Sequence, residues 1–516
     1  MKKILLFASV LLILFTACKK NKVNPDNSVV DPSVPSTGSA LDKIKDSIIL
    51  YAREDYYWYD KLPTYTAFNP RAITGSTDLD ALQTEVNKLS QYAINPATNK
   101  PYEYYYRNPG EAKYSFIDEG EASDRLNAVS GDFGFAPFYN PNDNTLNDLR
   151  IKYVYPGSPA DLSGIKRGYR IMSINGRTAL NGGVTANVNF IINAYSESST
   201  ITMQLQRQDN SLFTTTLNTS DYKINPVIKH KEFNMGAGKK VGYMVFNSFV
   251  SLKSTQDTLN NVFKAFAADG VTDLVIDMRY NGGGYVETAE YLADLIAPSS
   301  ATGSVMYRAY YNNILASGNE KLLYKQWRRD ENNKPYNYGQ VDYSVNGNTF
   351  HFNKQGTLNV KRVYFIVTEA TASASELTIN CLRAVSGLNV QLIGSTTYGK
   401  PVGFFDIDID KYQMYIPEFE TKNANGEGGY YNGMTPASTT YPGKYAIDDL
   451  TKDFGDSTEY LLSEALTNVN LGHYSTSPLE IQSINAAKTS TNLLESIINA
   501  RTFNGMVVSK HKLKDE

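Results

Sequence analysis

Cysteine and histidine are scarce: the chain has two and four of them in 516 residues. Cys18 lies at the end of an N-terminal leader, so the mature chain keeps one internal thiol, Cys381, and an intrachain disulfide is excluded. Cys381 falls in an apolar stretch, the setting of a buried structural thiol. The histidines (His230, His351, His473, His511) are scattered and form no cluster with cysteine. A zinc site is not expected, and no metal or cofactor is implied. Net charge is only −3, so nothing suggests nucleic acid as a partner. The apolar run at 4–15 is too short for a membrane span. What is left is a globular composition, 41% hydrophobic and 20% charged, in a chain long enough for about two to four domains. The one abundance is tyrosine, 38 residues, a hint of an extracytoplasmic protein with a hydrogen-bonding surface.

Lys2 and Lys3 precede the apolar run, and Thr16-Ala17-Cys18 follows it. A charged head, a short apolar segment and small residues describe a signal peptide over 1–17. A cysteine directly after the small residues resembles the lipobox of bacterial lipoproteins, although Phe15 stands where an aliphatic residue is usual. The resemblance implies lipidation of Cys18 and a membrane anchor; the alternative is an ordinary signal peptide with an incidental cysteine. Lys19 and Lys20 follow without an acidic run, which favours an outer-membrane lipoprotein facing the periplasm. Residues 18–39, polar with three prolines, read as the anchor and a flexible tether.

From there the pattern predicts a multidomain α/β protein. Leu41, Ile44, Ile48 and Tyr51, then Leu82, Val86 and Leu89, recur at helical spacing, giving a small helical N-terminal domain over 40–125. Residues 126–223 change to short strands and turns: "GDFGFAPFY", then "IKYVYPGSPADLSGIKRGYRIMSINGR" with strands at 151–154 and 170–174 and a hairpin signal at Asn175-Gly176. This unit resembles a PDZ domain. The resemblance places the carboxylate-binding loop on Gly131, Asp132, Phe133, Gly134 and Phe135, where backbone N–H groups would hold a chain-terminal carboxylate. Tyr169 stands where that family has a structural Asp, and a degenerate spacer is the alternative reading. Residues 224–470 alternate: strands at 241–249, 274–277, 362–367 and 390–393, helices at 261–268, 287–296 and 375–386. This is a sheet layered with helices. Residues 305–355, polar and Tyr-rich, read as an insertion over the sheet, a candidate lid or substrate ledge. Residues 471–516 read as an extension, with Leu493, Leu494, Ile497 and Ile498 a weakly periodic helix.

The chemistry gathers at three strand ends. "TASASEL" puts serines at the start of a helix, where the dipole is positive and backbone N–H groups are free. Serine needs a base, and no histidine lies near. Lys400, in the Gly-bounded loop "STTYGKPVG", can serve if burial keeps it neutral. The loop "RYNGGG" allows close backbone approach to a carbonyl.

"VIDMRYNGGG", "TASASEL" and "STTYGKPVG", in this order after a PDZ-like unit, resemble the C-terminal processing peptidases, the tail-specific serine proteases. The resemblance covers about 130–470 and includes "YYNGMTPA" and the closing "DFGDSTEYLLSEAL". It implies an α/β serine peptidase core that hydrolyses peptides through an acyl-enzyme. It implies Ser373 as nucleophile, Lys400 as base, and the N–H groups of Ala374 and Gly283 as oxyanion donors, with Gly284 as the fallback. Ser375 would be a helix cap with Glu376 nearby, and Asp277 and Arg279 would hold the strand end. The places where some members carry a lysine-orienting group hold Phe404 and Ala384, so no third catalytic residue is assigned. The implied partners are protein or peptide substrates taken through their C-termini. The alternative is an inactive peptidase-fold scaffold that binds such termini.

Overall fold

A computed structural model describes residues 33–476 and 505–514. The leader, Cys18, residues 19–32 of the tether and the helix expected around Leu493–Ile498 lie outside the described residues. At the centre is a six-stranded sheet in the order Val227–Gly236, Lys239–Phe246, Asp273–Asp277, Arg362–Val367, Asn389–Gly394, Gly443–Tyr445. The first pair is antiparallel and the rest are parallel; the first three parallel connections carry the helices Leu252–Ala268, Val286–Ile296 and Ala374–Arg383, and the last runs through short strands. Side chains alternate along each strand. Leu274, Ile276, Val363, Phe365 and Leu392 pack with the helices Leu252–Ala268, Val286–Ile296 and Ala374–Arg383. Val275, Tyr364, Ile366 and Ile393 face the opposite way, into a second core shared with helix Tyr460–Leu471.

Residues 126–223 form a five-stranded antiparallel sheet in chain order: Phe135–Tyr139, Leu149–Val154, Arg170–Ile174, Thr200–Gln206, Leu212–Asn218. Helix Thr185–Ile192 packs into it, and its apolar residues belong to the same second core as the back face of the large sheet. The Asn175-Gly176 turn forms, with φ of 49° and 79°, but it closes only a single bridge from Ile174 to Arg177. The partner of the preceding strand is Thr200–Gln206 instead.

Two expectations need correcting. Residues 40–125 are helical at Ala40–Asp55 and Asp78–Ser90, but they have no core of their own. Ile48, Ile49, Leu82 and Val86 join the same apolar cluster as the large sheet, and strand Phe116–Asp118 pairs with Tyr412–Tyr415. The stretch 305–355 is not merely laid over the sheet. Val305–Tyr311 is an inner strand of a four-stranded sheet, between Thr349–His351 and Phe419–Asn423. Met306, Tyr307, Tyr311, Tyr338 and Tyr343 are all buried. These rings fill a core rather than a polar surface.

Candidate active site

Three loops leave the carboxyl ends of adjacent parallel strands: 278–283 after Asp277, 368–373 after Val367 and 395–400 after Gly394. Open α/β sheets bind ligands at this edge. Ser373 caps helix Ala374–Arg383 with φ of 58° and ψ of −107°, a conformation that L side chains rarely adopt. Such strain persists only when the surroundings enforce it, and the enforcing contacts are visible. The Glu376 carboxylate accepts the backbone N–H of Ser373 at 2.8 Å on Oε2. The same oxygen accepts the N–H of Lys400 at 2.8 Å. Its other oxygen accepts Gly399 N–H at 2.8 Å and the Thr397 hydroxyl. One buried carboxylate therefore joins the serine turn to the lysine loop. Burial raises the Glu376 pKa against the pull of these donors. The cap is Ser373, not Ser375. The Ser375 hydroxyl instead donates to the Asn281 carbonyl at 2.9 Å.

Asn281 ties in the third loop. Its carbonyl also accepts Ala372 N–H at 3.0 Å, and its amide donates to the Phe246 carbonyl at 2.9 Å. Its Oδ1 accepts Gly283 N–H at 2.9 Å. The Gly283 N–H is thus already given away. Strand Gly283–Tyr285 pairs on one edge with Phe249, through Phe249 N–H to the Gly283 carbonyl at 2.8 Å and Tyr285 N–H to the Phe249 carbonyl at 2.7 Å. Alternation along the strand turns Gly284 N–H to the other edge, the side of the serine turn. Ala374 is the first helical residue, so its N–H has no intrahelical acceptor.

Lys400 is fully buried. Its Nζ lies 3.7 Å from the centroid of Phe404 and 5.4 Å from that of Tyr114. Burial drives its pKa well below the ordinary lysine value, while Glu103, Glu418 and Glu376 push the other way and Lys113 adds to the fall. Among the described residues no group hydrogen-bonds the Ser373 Oγ, so the serine and lysine side chains are brought into one buried region without being bonded to each other. Phe404 is the ring on which the amine rests.

Sequence reasoning missed the support from the N-terminal segment. Lys113 Nζ donates to the carbonyls of Gly399 at 3.1 Å and Tyr431 at 2.9 Å, and Tyr114 OH donates to Gly399 at 2.5 Å. Burial holds the Lys113 pKa down at about 8. Glu103 accepts Tyr56, Ser115 and two backbone N–H groups beneath. Lys113 and Gly399 lie 286 residues apart in sequence and leave no local pattern. Glu376 did leave one: Ser373-Ala374-Ser375-Glu376 has the spacing of a capping box.

Asp277 and Arg279 stand away from the serine, in a buried charge cluster. Arg279 bonds Asp277 at 2.7 Å, Asp448 at 2.6 Å and Glu459 at 2.9 Å. Arg167, from the five-stranded unit, bonds Asp448 at 2.9 Å.

The loop 131–135 is differently placed from what tail capture needs. Asp132 Oδ1 accepts Gly134 N–H at 2.7 Å and Tyr222 OH at 2.8 Å. Phe133 is buried, and Tyr195 OH donates to the Phe135 carbonyl. The space beside Asp132, Gly134 and Phe135, reaching Asn247 and Gly282, is about 40 Å³, room for water and little more. Gly131 lines no part of it.

Residues 240–436 match the model of peptidase family S41. A CtpA-like serine protease of Staphylococcus aureus (strain N315) is 24% identical over 319 residues, 61% of this chain and 52% of the relative. The carboxyl-terminal-processing protease of a Picosynechococcus species is 24% identical over 254 residues, 49% of this chain and 50% of the relative. The chain thus spans about half the length of the curated relatives it matches. A crystal structure from Bacteroides fragilis NCTC 9343, assigned to the S41 proteases, superposes with a TM-score of 0.54 at 23% identity, over 82% of this chain and 96% of that one. That likeness is one of fold.

Proposed function

Because residues 240–436 match the model of peptidase family S41, we propose that the chain is a serine endopeptidase working with a Ser373–Lys400 dyad. The observation that carries this is the shared Glu376 oxygen, which holds the backbones of both residues at one point. Neutral Lys400 takes the Ser373 hydroxyl proton as Oγ attacks the scissile carbonyl. The N–H groups of Ala374 and Gly284 receive the oxyanion, and the lysine then passes the proton to the leaving amine. Gly284 replaces Gly283 in this role because Asn281 occupies the Gly283 donor. Water, activated by the same lysine, releases the acyl group.

The substrates are extended or C-terminal protein segments. The PDZ-like unit serves as a gate rather than a preformed tail receptor, since Asp132 already fills the Gly134 donor. Lipidation of Cys18 would hold the enzyme at a membrane outside the cytoplasm; mass analysis of the mature N-terminus in the parent and in Cys18→Ser checks this. One observation favours the scaffold reading: Lys400 Nζ rests on Phe404 and not on Ser373 Oγ. Incubating the parent and Ser373→Ala with an unstructured reporter decides between them. Cleavage in the parent, reduced at least about 10³-fold in the variant, is expected. Equal cleavage in both would end the assignment of Ser373.

A further inference from the structure

Ser373, Ala374 and Lys400 are all 0% exposed, and Gly283 and Gly284 are buried with them. No protein substrate reaches such a serine unless something moves. The piece that lies across the loops is the chain's own C-terminal segment. Gly505–Val507 runs as a strand alongside Gly283–Tyr285, in parallel register Gly283 to Gly505, Gly284 to Met506, Tyr285 to Val507. Gly505 N–H donates to the Gly282 carbonyl at 3.0 Å. On its other side it meets the segment that follows Lys400: Phe404 N–H donates to the Met506 carbonyl at 2.9 Å, and Val508 N–H to the Phe404 carbonyl at 3.1 Å. Met506 is 0% exposed. A Cβ built on Gly283 would stand 2.2 Å from the Gly505 oxygen and 3.0 Å from Ala374 N. The Gly505 carbonyl and the Ala374 N–H therefore border the same space beside Gly283.

The edge of Gly283–Tyr285 is the one an extended peptide would use, because strand addition needs unpaired backbone groups. Here those groups are taken. The rest of the tail is fastened to the 305–355 region. Leu513 bridges Val341, Asp342 N–H donates to the Lys512 carbonyl at 2.8 Å, and Lys514 N–H to the Gln340 carbonyl at 2.9 Å. Lys514 Nζ pairs with buried Glu320, and Lys510 Nζ lies 2.7 Å from Glu287. The His511 ring packs on Tyr338 at 5.2 Å.

We propose that residues 505–514 are an intramolecular occupant of the substrate cleft: Gly505–Val507 fills the peptide strand site between Gly283–Tyr285 and Phe404, and the 305–355 region is its dock. This rests on the peptidase reading of the cleft and adds its regulation. It also gives the ligand chemistry: an extended segment, small at the position opposite Gly283 and apolar at the next two. The incoming chain displaces the tail before Ser373 can act.

The test uses the full chain with Met506→Asp, which places a charge in the slot, and with Lys514→Glu, an exposed change that sets like charges at Glu320. Both are compared with the parent in hydrolysis of an unstructured reporter. Both should hydrolyse faster by at least about tenfold, the gain when a slot free about one-tenth of the time becomes fully free. A synthetic peptide GMVVSKHKLKDE should then inhibit Met506→Asp by raising KM without lowering kcat. In a Ser373→Ala background, the same peptide carrying a fluorophore should bind Met506→Asp and not the parent tail. An active parent whose variants keep its rate would overturn the proposal, as would absence of peptide binding to the double variant. Peptide binding with no hydrolysis in any form would keep the occupant and discard the peptidase.

Discussion

At the residue scale, the site turns on two buried ionisable groups, Lys400 and Glu376, that meet where the Glu376 carboxylate accepts the Lys400 backbone N–H. Burial lowers the Lys400 pKa, and the base proposed above acts only when neutral, so under that proposal the rate should rise with pH through an apparent pKa below the ordinary lysine value. A rate flat from mildly acid to alkaline pH would remove Lys400 as the base. Glu376 is an acceptor for four donors. Glu376→Gln replaces one acceptor oxygen with a donor NH₂ that faces two of them. The expected cost is about 1–3 kcal/mol in denaturant melts, with kcat falling further than KM changes, since the substrate groove keeps its walls. Unchanged stability together with full activity would show that the carboxylate is dispensable.

At the element scale, the parallel strands were readable because they are apolar or β-branched and buried on both faces. Asp273–Asp277, Arg362–Val367 and Asn389–Gly394 fall within one residue of expectation. Helix Leu252–Ala268 begins nine residues before its expected start, because its first two turns put only Thr255 and Leu259 inward. Gly505–Val507 gave no signal at all: three residues make no period, and their partners are more than a hundred positions away. The same limit applies to the site. Ser373 and Lys400 are candidates from the order of loops, while the contacts of Asn281, Lys113 and Glu103 are ones that only folding creates. At the end of Asp273–Asp277 a buried cluster gathers three carboxylates on one guanidinium. Arg279→Met leaves Asp277, Asp448 and Glu459 without their shared cation, and should cost about 3–5 kcal/mol in urea unfolding. Arg279→Lys should recover little, since one ammonium cannot serve three carboxylates in a plane. Melts that match the parent would deny the cluster its structural role.

At the scale of the whole molecule, Asp448 receives both Arg167 from the five-stranded unit and Arg279 from the large sheet. Burial pushes its pKa up, but the two guanidinium groups outweigh that and hold it at about 2. A depressed carboxylate contributes stability above its unfolded pKa, and loses it as pH falls through the folded value. The stability difference between parent and Asp448→Asn should therefore be full above about pH 4 and shrink between about pH 4 and 2, with a plateau near 2 kcal/mol from the pKa change alone. A pH-independent difference would exclude the linkage. Salt should change it little, because the pair is shielded from solvent ions. The tail strand has a different consequence for the whole chain. A ligand joined to its own receptor competes at an effective concentration, on the order of millimolar for short flexible connections, and not at the bulk concentration of protein. Dilution does not loosen it. Only a rival segment at comparable local abundance shifts the balance, so a peptidase held in check this way would respond to co-localisation rather than to the amount of substrate.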